Sequence, residues 1–114
     1  MSATYDTIRQ AMLLGKPVSL TYNSLYREVC VHALGLNKYG REQALTYQYA
    51  GDSTKGLPPG GEWRCIALAN AFDARIIEGP WHTRNDHEET QTCVAQVDLE
   101  LWVGPDGLPY VKRA

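Results

Sequence analysis

A chain of 114 residues with 44% hydrophobic and 21% charged residues has apolar side chains for one core and not for two, which predicts a single domain over residues 1–114 and excludes disorder. Eleven basic against thirteen acidic residues leave a formal charge of -2, so bulk attraction to nucleic acid or to an anionic membrane is excluded and any anion must be met by a local cluster. No apolar run approaches the ~18 residues of a membrane span, the opening Met1-Ser2-Ala3-Thr4-Tyr5-Asp6 lacks the pattern of a secretory signal, and Cys30, Cys65 and Cys93 are odd in number and form no Cys-x-x-Cys, which predicts a cytoplasmic protein without a disulfide framework.

In chain order, residues 3–14 place Tyr5, Ile8, Ala11, Met12 and Leu13 on one helical face and Asp6, Arg9 and Gln10 on the other. Ser2 or Thr4 caps this helix, Gly15 supplies its left-handed end, and Pro17 prevents its continuation. Val18, Leu20 and Tyr22 then alternate with Ser19, Thr21 and Asn23, the period of a half-buried strand. After a turn at Asn23-Ser24, residues 26–34 carry apolar groups at both parities, which marks a central strand. A polar turn at Asn37-Lys38-Tyr39-Gly40 leads to a third strand over residues 43–50.

Residues 51–61 hold four glycines and two prolines and are expected to form a long loop. Trp63 to Leu68 and Ala74 to Ile77 read as short fourth and fifth strands. Residues 82–92 are almost wholly polar. Beyond them Cys93, Ala95, Val97, Leu99, Leu101 and Val103 alternate with Thr92, Val94, Gln96, Asp98, Glu100 and Trp102, so Leu99→Asp is expected to prevent folding and Glu100→Lys to be tolerated. Gly104-Pro105-Asp106-Gly107 turns the chain, and residues 103–114 are expected to pair briefly or to fray as a loose tail. One helix followed by five or six strands, with no segment long enough for a crossover helix, predicts a mainly β fold: a small antiparallel SH3/Sm-like barrel preceded by one N-terminal α-helix.

Between Ile8 and Ile76 a helix ending in Gly15-Lys16-Pro17 leads into Val18-Ser19-Leu20-Thr21-Tyr22, then Arg27-Glu28-Val29-Cys30-Val31-His32-Ala33-Leu34-Gly35, Gly40, Leu45-Thr46-Tyr47-Gln48, Gly51-Asp52-Ser53 and Trp63-Arg64-Cys65-Ile66. This order of features resembles the WYL family. The likeness is closest to short, free-standing members. It implies a small β-barrel and a ligand-sensing role of the kind found in bacterial regulators. Of the residues that name the family only Leu45 matches, since Gln43 and Ala44 stand where its tryptophan and tyrosine fall, and the residues before Lys16 are too few for the usual helix-turn-helix domain.

Arg27, His32, Tyr47, Gln48, Ser53, Lys55, Trp63 and Arg64 fall on neighbouring strands and the loop between them, where barrel closure would gather several at one rim. Guanidinium groups, free loop amides and a hydroxyl suit a phosphate or carboxylate, and Tyr47 or Trp63 suits a base. Against this stands a structural reading in which Trp63 is core, Arg64 pairs with a carboxylate such as Glu28, and Lys55 is solvated. His32, between Val31 and Ala33, reads more readily as a hydrogen-bonded structural residue than as an acid or base. Cys30, His32, His82, His87 and Cys93 match no zinc spacing, and Asp86, Glu88 and Glu89 read as solvated surface. Neither a nucleophile elbow nor a P-loop is present.

The sequence therefore points to a non-catalytic module, without cofactor or metal, that binds a phosphorylated small molecule, a nucleotide or a nucleic-acid end. The alternative is an assembly module that meets a protein partner or further copies of itself through strand edges. A small hydrolase is the third reading.

Overall fold

The computed structural model describes residues 1–52, 56–58, 60–83 and 92–114. Helix α1 (Ala3–Leu14) starts where the Ser2 hydroxyl accepts the Tyr5 N–H at 3.1 Å, satisfying one of the donors a helix start leaves free. It ends at Gly15, whose φ of 68° lets Gly15 and Lys16 donate back to Met12 and Ala11, the left-handed closure that glycine enters at little cost. Tyr5, Ile8, Ala11 and Met12 are buried as their spacing requires, whereas Leu13 is 54% exposed. The predicted stripe was one residue too wide.

Seven strands follow: β1 (Val18–Tyr22), β2 (Leu25–Leu36), β3 (Glu42–Gly51), β4 (Glu62–Ala67), β5 (Ala71–Ile76), β6 (Gln96–Val103) and β7 (Pro109–Arg113). Asn23 and Ser24, both at positive φ, turn β1 into β2 as the primed hairpin turns do. A short 3-10 turn at Leu68–Asn70 joins β4 to β5. All pairings are antiparallel, along the path β4-β3-β2-β1-β5, with β6 on β2 and β7 on β6. The fold is mainly β with one N-terminal helix. Among the described residues β4 and β5 end the path with no ladder between them, so hydrogen bonds do not close the sheet into a barrel.

β2 organises the sheet. One of its edges carries β3, while the other carries β1 along Leu25–Val29 and β6 along Ala33–Leu36. Its register shifts between Glu28 and Val29, between Val31 and Ala33, and again between Leu34 and Gly35, and such irregularities bend a strand. Residues 29–35 are all buried, consistent with the apolar groups at both parities. One core unites α1 with Val18, Leu20, Val29, Val31, Leu34, Ala44, Ile66, Leu99 and Leu101. No helix among the described residues is long and apolar enough to cross a membrane.

Several expectations are corrected. Cys65 and Cys93 form a disulfide, with Cα atoms 5.8 Å apart, and Cys30 is the free, buried thiol. The odd count excluded nothing, because one cysteine sits in the core while the other two meet. Glu100 is 2% exposed and accepts from Arg113 Nε at 3.0 Å, so it is not a solvent-facing residue. β6 begins at Gln96 instead of near Cys93, and Val94, placed by the alternation on the outward parity, is 3% exposed. It packs over Gly35, where a Cβ would meet Val94 Cγ1 at 2.8 Å and the Gln96 carbonyl oxygen. Of the two expectations for the C-terminus, pairing or fraying, the chain takes the first: β7 pairs with β6. β5 begins at Ala71, three residues before the expected start at Ala74.

Candidate functional site

Strand alternation divides the candidate residues between the two sides of the sheet. Across the β3–β4 ladder Tyr47 faces Trp63, Thr46 faces Arg64 and Gln48 faces Glu62. Successive side chains point to opposite faces. Tyr47 and Trp63 therefore share one side, and Arg64, Gln48 and Glu62 share the other. Arg27 joins the second group: β1 sets Leu20 opposite Arg27 and Val18 opposite Val29, which places Arg27 on the core side. Ser53 and Lys55 lie outside the described residues, as do His87, Asp86, Glu88 and Glu89. A base stacked on Trp63 and a phosphate on Arg64 would occupy opposite sides of β4.

The Trp63 side is a packed aromatic cluster. His32 is 0% exposed and lies edge-on to Trp63, with ring centroids 4.7 Å apart, and 5.0 Å from the Trp81 ring. Its Nδ1 is 3.0 Å from the Cys30 carbonyl oxygen, which only accepts, so Nδ1 carries the proton and donates. In the neutral ring Nε2 then accepts from the Thr83 hydroxyl at 3.1 Å. Tyr47 meets Trp63 edge-on at 5.3 Å. Beside them the His82 ring stacks on Tyr49 at 3.9 Å, and the His82 N–H donates to the Cys30 sulfur at 3.3 Å. Burial pushes the Cys30 thiol up to about 12, with the His82 N–H opposing, so it stays protonated and unreactive. His32, Tyr47 and Trp63 here hold the segment 81–83 onto the sheet. Trp81 is the partner the sequence reading missed. No periodicity surrounds it, and only its size and its position after Gly79-Pro80 marked it.

The Arg64 side differs in kind. Arg27 is 5% exposed, its guanidinium carbon lies 5.0 Å from the Tyr22 ring centroid, and its Nε makes no hydrogen bond. Among the described residues no carboxylate pairs with Arg27. Burial first, and the like charge of Arg64 second, hold its guanidinium below the usual arginine range. Arg64 Nη2 lies 2.9 Å from Glu62 Oε2, the side chains being 25% and 43% exposed, and Arg64 Nε has no partner. The pairing with Glu28 is thus replaced by one with Glu62. Glu28 instead accepts from the Tyr26 and Tyr49 hydroxyls at 3.0 and 3.2 Å.

Gln48 completes this group. It is 0% exposed. Its Nε2 donates to the Asp52 and Ala50 carbonyls at 2.9 and 3.3 Å, while its Oε1 is buried without a partner. Asp52 in turn donates its N–H to the Tyr26 carbonyl at 2.7 Å, so the carboxamide reaches along β3 toward the stretch of β2 that carries Arg27. Two guanidinium groups, one carboxylate and one free carboxamide oxygen thus bound this end of the core side, with a surplus positive charge and four buried polar atoms that make no hydrogen bond, of which Arg64 Nη2 keeps its ion pair with Glu62. Buried polar groups in native proteins are nearly always paired, and an exception calls for an explanation such as strain, a functional role, or a water or ion held there.

Comparison with protein-family models, with curated proteins and with solved structures gives no match for this chain.

Proposed function

We propose that the chain is a non-catalytic, WYL-like small-barrel module that binds the anionic group of a phosphorylated small molecule, a nucleotide or a nucleic-acid end. The observation that carries this reading is Arg27, which is 5% exposed with an unbonded Nε and, among the described residues, pairs with no carboxylate, while the like charge of Arg64 acts on it. A buried cation without a counter-charge costs several kcal/mol, and an anion bound between Arg27 and Arg64 would offset that cost. The aromatic cluster has no share in this reading. Calorimetry with a nucleoside 5'-monophosphate and a short 5'-phosphorylated oligonucleotide tests it. Arg64→Ala is expected to weaken binding about 30-fold or more, since loss of a charge-assisted fork in a partly desolvated site typically costs ~2 to 5 kcal/mol. Unchanged affinity in a folded Arg64→Ala protein would place the ligand elsewhere.

A second reading, association between copies, is favoured by one feature. Leu13, Leu14, Leu108, Tyr110 and Val111 are each about half exposed around a groove of 290 Å³ between the end of α1 and the β6–β7 hairpin, and among the described residues β7 pairs with β6 alone. Sedimentation velocity decides it: a monomer at micromolar concentration removes the assembly reading. For the compartment we propose the cytoplasm, where the Cys65–Cys93 pair would be open as two thiols. Rapid alkylation of protein taken directly from cells tests this, and a closed pair would move the proposal to an oxidising compartment.

A further inference from the structure

We infer that the anion this site selects carries its own hydrogen-bond donor, so that it takes inorganic phosphate or a phosphate monoester through a P–OH group and discriminates against sulfate and phosphodiesters. The inference rests on the anion-binding reading above and adds to it the chemical class of the ligand.

Gln48 carries the argument. Both partners of its Nε2, the carbonyls of Ala50 and Asp52, can only accept, so the nitrogen and oxygen of the carboxamide cannot be exchanged. Oε1 is therefore an acceptor, fully buried and unpartnered. The guanidinium groups of Arg27 and Arg64, at the same end of the core side, offer only donors, and their Nε atoms are also unpartnered. A ligand that satisfies this set must accept at two or more atoms and donate at one.

Sulfate and dimethyl phosphate present acceptors alone near neutral pH. Either would set a lone pair against Gln48 Oε1, leaving that oxygen unsatisfied and repelled, a defect whose cost in a buried site is felt in full. Phosphate at neutrality retains at least one P–OH. It can give that proton to Gln48 Oε1 while its other oxygens accept from the two arginines. A terminal monoester, with a second pKa of ~6, can do the same only as its monoanion, roughly a tenth of the population at pH 7, so its apparent affinity carries a penalty of about tenfold. A phosphodiester within a nucleic-acid backbone cannot. A nucleic-acid ligand would accordingly be read at a phosphorylated end.

The test is calorimetric titration of the wild-type protein with inorganic phosphate, sulfate and dimethyl phosphate at matched ionic strength and pH 7. Phosphate is expected to bind at least ~10-fold more tightly than either of the others. Equal affinity for phosphate and sulfate would overturn the inference and leave the anion site standing. No binding of any of the three would remove both. Gln48→Met, which deletes the acceptor at similar volume, should bring phosphate and sulfate to within about twofold. Because Gln48 also supports two backbone carbonyls, a melting curve must accompany this variant. If it fails to fold, the wild-type selectivity alone decides.

Discussion

Arg113 on β7 reaches across the ladder to Glu100 on β6, with Nε 3.0 Å from Oε1, although Glu100 is 2% exposed and the Arg113 side chain is 56% exposed. The carboxylate is thus held inside by a cation anchored at the surface. Glu100→Lys would put an ammonium against Arg113 in a buried position, and breaking a buried pair in this way typically costs ~3 to 5 kcal/mol. It should lower the melting temperature sharply, Glu100→Gln less so. Wild-type melting of Glu100→Lys would show that the tail carrying Arg113 does not hold β7 in place in solution.

Leu99, beside it, is 0% exposed within the main core. Leu99→Asp should abolish the cooperative transition, because an unpaired buried charge costs as much as a small domain's whole stability of ~5 to 15 kcal/mol. Circular dichroism at 25 °C would reveal it. A native-like spectrum would mean that the register of β6 is wrong by one residue.

The Cys65–Cys93 bridge closes a loop across a sequence separation of 28. By the chain-entropy relation such a crosslink is worth about 3 to 4 kcal/mol. Denaturant unfolding with and without reductant should differ by roughly that amount. The oxidised protein should yield one titratable thiol on unfolding, Cys30, and the reduced protein three. Three thiols in protein purified without reductant would show the bridge open.

Asp98 ties the helix to β6: the Tyr5 hydroxyl donates to it at 2.7 Å and Arg9 Nε at 3.0 Å. The Tyr5 hydrogen bond, the largest influence, holds its carboxyl below the usual range; burial, the next largest, opposes it, and the hydrogen bond and charge of Arg9 add to the lowering. A depressed folded pKa means the folded state binds fewer protons. The contribution is present above the unfolded value of ~3.9 and is lost as pH falls through the lower folded one. Asp98→Asn should flatten the acid limb of a stability–pH curve below about pH 4 and leave the neutral region level. An unchanged acid limb would mean that Asp98 does not titrate with folding.

Much of the fold was legible because local rules act locally. Ser2 and Gly15 bound α1 through capping, and the alternation of Val18, Leu20 and Tyr22 marked β1. The apolar residues at both parities around Val29 to Ala33 identified β2 as central. The disulfide was not legible, since the meeting of Cys65 and Cys93 depends on how β4 and the segment before β6 come together across the sheet. Glu100 was not legible either, since its partner stands on β7, a stretch whose composition left pairing and fraying both open. The split of the candidate site, by contrast, was present in the sequence: Trp63 and Arg64 are consecutive in one strand, as are Tyr47 and Gln48, and consecutive residues cannot share a face. Gathering all four at one rim set that rule aside.

The anion site is tested most directly by thermal melting of wild type and Arg27→Met, each with and without inorganic phosphate. If Arg27 is kept for a ligand, it burdens the free protein. Arg27→Met should then melt at or above wild type without phosphate, because a well-packed apolar side chain replaces an uncompensated buried cation. Phosphate at about 100 times its dissociation constant should stabilise wild type by ~2.7 kcal/mol and leave Arg27→Met unmoved. An Arg27→Met protein that melts well below wild type, together with a wild-type melt indifferent to phosphate, would contradict the account: Arg27 would then be held for its packing on Tyr22, and no anion would bind beside it.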